Sequence, residues 1–114
     1  IDQQVGGQRA NVQKDQGKDG FQTGGLFKST DGGDTWTRVN SLNPRPFYFS
    51  QVRTEPTDEK VVYVLGDLQV WRSTDGGERF AGAPARGVHP DHHALWIDPK
   101  DGRHMLLGND GGFY

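Results

Sequence analysis

The chain has no cysteine, which excludes disulfides and thiolate chemistry. Strong core formers are scarce: Leu, Ile, Val and Phe together make up only about a fifth of the sequence, close to the level at which a chain fails to fold. No run approaches the ~18 apolar residues of a membrane-crossing helix. Its 13 basic residues are scattered singly against 15 acidic ones, for a net charge of −2. That excludes the clustered basic face on which nucleic-acid binding depends. No segment sustains a 3.6-residue apolar period, so almost no helix is expected. Seventeen glycines and six prolines are present instead, the composition of a chain that turns often. It starts at Ile1 and stops at Tyr114 inside an apolar strand pattern, so both ends read as cut.

Order comes from repetition. Ser29-Thr30-Asp31-Gly32-Gly33-Asp34-Thr35-Trp36 returns 44 positions later as Ser73-Thr74-Asp75-Gly76-Gly77-Glu78-Arg79-Phe80. Other positions fall into line with the same period. Pro56 and Pro99 are 43 apart, each following a short apolar pattern (51–55 and 94–98) and preceding another (61–66 and 104–108). A further strand recurs at 25–28, 68–72 and 112–114. Short runs bounded by turn residues are strands. Four of them per unit, at a period of roughly 40–50 residues, describe the blade of a β-propeller. The expected fold is therefore all-β, a fragment of about 2.6 four-stranded antiparallel blades. Residues 1–40 end a first blade, 41–84 form a second, and 85–114 begin a third. Residues 3–22, rich in Gln and Gly, read as a long polar loop between the second and third strands of the first blade.

The eight-residue box reads as structural. Asp31 and Asp75 have the reach to accept backbone N–H groups of their own turn. Gly33 and Gly77 allow positive φ. Ser29, Thr35 and Ser73 supply local hydrogen bonds, and Trp36 and Phe80 read as apolar plugs beneath the hairpin. With Arg79 in place of Thr and Phe80 in place of Trp, the second copy should be the more poorly bonded. Neither copy has the carboxylates of an EF-hand loop.

Ser-x-Asp-x-Gly-x-Thr-Trp resembles the Asp-box, or BNR repeat, of sialidases, propeller-type xyloglucan hydrolases and sortilin-type receptors. Residues 24–114 are similar to stretches of large bacterial proteins described as glycosyl hydrolase-like or sortilin N-terminal-like. Segments like 89–99 (His-Pro-Asp-His-His-Ala-Leu-Trp-Ile-Asp-Pro) and 108–112 (Gly-Asn-Asp-Gly-Gly) recur in these proteins. The resemblance implies a secreted, periplasmic or envelope location. It implies either carbohydrate processing or non-catalytic binding of a protein, peptide or glycan, with the remaining blades of a longer chain as partners. It implies no cofactor.

In such a fold the boxes join the third and fourth strands and point away from the mouth of the central channel. At the mouth would lie Asp67, Asp91 and Asp110 as candidate catalytic carboxylates, with His92, His93, Asn109 and Tyr48 as candidate substrate contacts. Imidazole and carboxylate together suit proton transfer, sugar hydroxyls or a divalent metal. Asp91 and His93 would share a strand face and form the better, though weak, metal pair. The competing reading is structural: histidines satisfied by backbone, Asp beside Gly in turns. The run Phe47-Tyr48-Phe49 reads as inter-blade packing or as a stacking surface for a sugar. Trp71 and Trp96 read as core. No arginine triad of the sialidase kind can be assigned from Arg45, Arg53 and Arg86. About 2.6 blades expressed alone should be poorly soluble or oligomeric, since such repeats draw stability from their neighbours.

Overall fold

Eleven short strands and no helix make up the described part of the computed structural model, which covers residues 4–5, 8–9, 25–42, 50–66, 69–83 and 85–114. All pairings are antiparallel. The chain divides into two units, Ile1–Tyr48 and Phe49–Tyr114.

Among the described residues, the first unit holds two antiparallel strand pairs. β1 (Gln4–Val5) pairs with β2 (Gln8–Arg9), so a short ladder stands within the segment expected as loop. β3 (Leu26–Lys28) pairs with β4 (Thr37–Asn40), and the first Ser-Asp box is the turn between them.

Among its described residues, the second unit holds two sheets. β5 (Gln51–Glu55), β6 (Asp58–Gly66), β7 (Gln69–Ser73) and β8 (Ala81–Ala83) form a meander in chain order, with the second box joining β7 to β8. β9 (His92–Asp98), β10 (Asp101–Asn109) and β11 (Gly112–Phe113) form the other sheet. The two prolines sit in equivalent places: Pro56-Thr57 links β5 to β6, and Pro99-Lys100 links β9 to β10. A side chain closes each of these turns. Glu55 accepts from the Thr57 N–H at 3.1 Å, and Asp98 accepts from the Lys100 N–H at 2.8 Å.

The core lies between these sheets. Val61, Tyr63, Leu65 and Val70 meet Leu95, Ile97 and Leu107, with Ala85, Val88 and Met105 around them. Alternation places one face of β9 inside: Leu95 and Ile97 are buried, while Trp96 between them is 50% exposed beside exposed Leu106. Trp96 is thus not a core residue, and Trp71 is half-buried. β5 runs alongside β9 in the same direction. Arg53 Nε donates to Leu95 O at 3.1 Å, and further along the Glu55 carboxyl packs against Gly102, where any Cβ would overlap it.

The two boxes have the same internal geometry. In the first, Ser29 Oγ donates to Asp31 Oδ1 (2.7 Å) and accepts from the N–H groups of Asp31 (3.3 Å) and Gly33 (2.8 Å). Asp31 in turn accepts from Thr35 N (3.0 Å) and Thr35 Oγ1 (2.5 Å), and Trp36 Nε1 donates to Gly33 O at 3.0 Å. The second repeats the Ser73–Asp75 bond (2.7 Å) and the bonds from Asp75 N (3.2 Å), Gly77 N (2.9 Å) and Arg79 N (2.9 Å). The Thr hydroxyl and indole bonds have no counterpart there, because Arg79 and Phe80 lack the groups. In each copy both central glycines adopt positive φ, between 76° and 105°. Trp36 differs from expectation: it is 61% exposed, folded back on its own turn rather than buried as a plug.

Bonds from Ser29, then Thr35, hold the Asp31 carboxyl well below the usual carboxylate range. The Arg79 N–H, then Ser73, lowers that of Asp75. Depressed folded values mean that each turn's contribution is present above the unfolded value near 3.8 and is lost only as pH falls below it.

Burial separates the copies. Ser73 is 1% exposed and Gly77 is buried, whereas the first turn is solvated. Ser73→Ala leaves the buried Gly77 N–H without its acceptor and should cost about 1–3 kcal/mol, and Ser29→Ala less than about 1 kcal/mol. Urea unfolding followed by tryptophan fluorescence checks the difference, and equal losses would contradict it.

Candidate functional site

β9 begins and β10 ends at the same edge of their sheet, and the residues singled out from the sequence gather there. Gly108 pairs with Ala94, but Asn109 pairs with His92, so His93 is the extra residue of a β-bulge. The chain enters this bulge through Asp91, whose φ of +63° is a left-handed conformation that Asp tolerates better than most side chains. Bulges and single left-handed residues of this kind re-aim side chains and are frequent beside functional sites.

The bulge sets His93 against the β10–β11 turn. His93 Nε2 lies 2.8 Å from Asp110 Oδ1, with both side chains partly open to solvent. Asn109 fastens the same turn to the preceding connection: its Nδ2 donates to His89 O at 2.7 Å, and its Oδ1 accepts from Gly111 N at 2.9 Å. Gly111 is required here, because a Cβ would fall 2.6 Å from that of His89. Leu107 and Tyr114 exchange backbone bonds of 2.9 Å and close the far side of the hairpin.

His92 turns inward. It is 3% exposed, and its Nδ1 has no hydrogen-bond partner. Burial pushes its pKa below the usual value of 6.5, the nearby charge of Asp91 opposes this, and His89 adds to it. At neutral pH the ring is uncharged. Gln51, at the start of neighbouring β5, likewise leaves its Oε1 buried and unpaired.

The second box lies at the opposite end of this unit. Gly76 N donates to Lys60 O at 2.8 Å, beside the Pro56 turn, whereas Gln51, Leu65 and the start of β9 mark the other end. Asp75 is therefore remote from His93 and Asp110, and Asp31 and Asp75 are both committed to their own turns.

Of the candidate residues, His93 and Asp110 are in direct contact, and Asp91, His92 and Asn109 flank them along β9 and β10. Asp67 and Tyr48, with Phe47 and Phe49, lie outside the described residues. Simple alternation, which put Asp91 and His93 on one strand face, does not extend through Asp91, which precedes the strand with positive φ. Among the described residues no group of three or more His, Asp or Glu side chains gathers as a metal site would require. Gln51 and the His89 carbonyl belong to this end of the fold without any sequence signal. A Gln opening a strand reads as solvated, and a backbone carbonyl has no side chain to read.

His92 also predicts a pH response. Its folded pKa lies below the unfolded value, so its contribution is complete above about 6.5 and declines as pH falls through that value. The melting temperature should drop between about pH 7 and pH 5. The drop should be smaller in His92→Gln, which leaves the charges of Asp91, His89 and His93 in place. Identical profiles for the two proteins would contradict this assignment.

No protein-family model, curated protein or solved structure matches the chain.

Proposed function

We propose that the chain is a segment of an Asp-box β-propeller with four-stranded blades, and that the face bearing His93 and Asp110 processes carbohydrate in the manner of a glycoside hydrolase. Four features support the fold reading: the four-stranded meander β5–β8, the Ser-Asp turn repeated in two hairpins, the equivalent Pro turns, and the side-by-side run of β5 and β9. On this reading residues 1–40, 41–84 and 85–114 belong to successive blades, and further blades of a longer chain complete the ring. The reading also implies a secreted, periplasmic or envelope protein.

The observation that carries the functional part is the His93–Asp110 contact at the end of the sheets remote from the second box. Glycoside hydrolysis uses two carboxylates about 5 Å or about 6.5–9.5 Å apart, according to mechanism. Asp110, oriented by His93, is the candidate base or nucleophile, and Asp91 or Asp67 is the candidate acid. Tyr48 is the candidate stacking residue. A second reading is non-catalytic binding, as in sortilin-like receptors. It is favoured by the engagement of Asp110 and Asn109 within the fold, which suits fixed recognition groups.

The full-length protein should be assayed on a polysaccharide panel with Asp67→Asn, Asp91→Asn and Asp110→Asn made singly. Loss of an acid or base should lower kcat by about 10²–10⁴-fold. Unchanged turnover in all three variants ends the catalytic reading, and saturable binding without turnover establishes the receptor reading.

A further inference from the structure

The two sheets of the second unit repeat one another at a constant offset of 43 residues. Arg53 pairs with Tyr63, and Trp96 pairs with Leu106. Gln51 pairs with Leu65 and Leu65 with Val70, while Ala94 pairs with Gly108 and Gly108 with Phe113. Burial does not repeat. Tyr63, Leu65 and Val70 form the face that β9 and β10 cover with Leu95, Ile97 and Leu107. Leu106 and Phe113 hold the places of Tyr63 and Val70, yet they are 54% and 87% exposed, with half-exposed Trp96 and exposed Ala94 beside them. A Cβ on Gly108 would meet the Phe113 ring at 3.5 Å and Ala94 at 3.6 Å, so these three residues share one face. Alternation adds Leu106 and Trp96 to it. A contiguous exposed apolar patch of this kind marks an interaction surface.

We propose that the outer face of β9–β11, built from Ala94, Trp96, Leu106, Gly108 and Phe113, docks a further sheet of the same repeat from the chain beyond Tyr114, and that this sheet presents an aliphatic face like that of Leu95, Ile97 and Leu107. This assignment rests on the blade reading above and adds which face docks and what its partner carries. The seam already described supplies the occupant: one repeat earlier, the same ladder positions are covered by such a sheet. Substitutions between the repeats make the second face the more apolar. Ala94 and Trp96 stand where Gln51 and Arg53 stand, so an indole replaces the guanidinium that donates to the Leu95 carbonyl. The Phe113 ring lies beside Gly108, at the position where the earlier sheet has the Leu65 side chain. Of these five residues only Trp96 has a side-chain hydrogen-bonding group, its indole N–H. That suits an aliphatic sheet and leaves a polar ligand without partners.

Photo-crosslinking in the full-length protein tests the occupant. Phe113→p-benzoylphenylalanine keeps an aromatic ring on the face, and mass spectrometry identifies what it captures. The expected product is a link within one molecule to the first two strands of the next unit, 43 residues beyond the stretch from Leu95 to Leu107. Its yield should be the same at every protein concentration. In parallel, Leu106→Cys should react with a maleimide at least about tenfold more slowly than Lys100→Cys in the exposed Pro99 turn, because the sheets must part before the thiol is reached.

A link between two molecules, with a yield that rises with concentration, assigns the face to a second copy and overturns the proposal. A link to a segment outside the repeat overturns the occupant. Equal maleimide rates at the two cysteines, in a full-length chain that does carry further repeats, overturn this inference and leave the blade reading standing. A full-length sequence with no further Ser-Asp box beyond Tyr114 ends both. If the Phe113 variant does not fold, the same probe at exposed Trp96 decides in its place.

Discussion

The packing of Leu65 and its neighbours on Leu95, Ile97 and Leu107 governs the second unit. The chain has few large apolar residues, and most of those buried among the described residues gather on one seam between two sheets. Leu65 has no exposed surface, and burying a side chain of its size contributes about 1.5–3 kcal/mol. Because the seam runs along β6 and β9, it also fixes β5 beside β9. Two strand beginnings, distant in sequence, are thereby brought to one end. The chemistry at that end follows from the seam rather than from any local motif.

Where apolar material runs out, hydrogen bonds in turns take over. One serine hydroxyl serves two backbone N–H groups and a carboxylate, and that carboxylate serves another N–H four residues on. This arrangement closes a tight turn without a core beneath it, which explains why the solvated first copy keeps the same geometry as the buried second one. The extra Thr35 and Trp36 bonds strengthen the copy that has no burial to support it. The second copy dispenses with them.

Much of the strand layout was legible in the sequence. The period of 43–44 residues, the prolines and the glycine turns place β3 through β11 close to where they occur, because turn chemistry is local and leaves a local trace. The internal bonding of the boxes was legible for the same reason. Burial was less so. Trp36 and Trp96 are large and apolar, but what covers an aromatic face depends on neighbouring sheets, which composition does not record. His92 and His93 are identical neighbours with opposite fates, one buried and one at the rim. The bulge that separates them arises from pairing with β10 and from the left-handed Asp91, neither of which a strand-alternation argument anticipates. The contact between His93 and Asp110 was legible as a neighbourhood, whereas the inward face of Gln51 was not.

The missing side chain of Gly102 reaches further than its own turn. The Glu55 carboxyl occupies the volume a Cβ would take, so a side chain of one sheet lies against the backbone of the other at the end away from His93. A methyl group at position 102 would push the Glu55 carboxyl off the Thr57 N–H and hydroxyl it holds, so a substitution in β10 would unfasten the Pro56 turn of a different sheet.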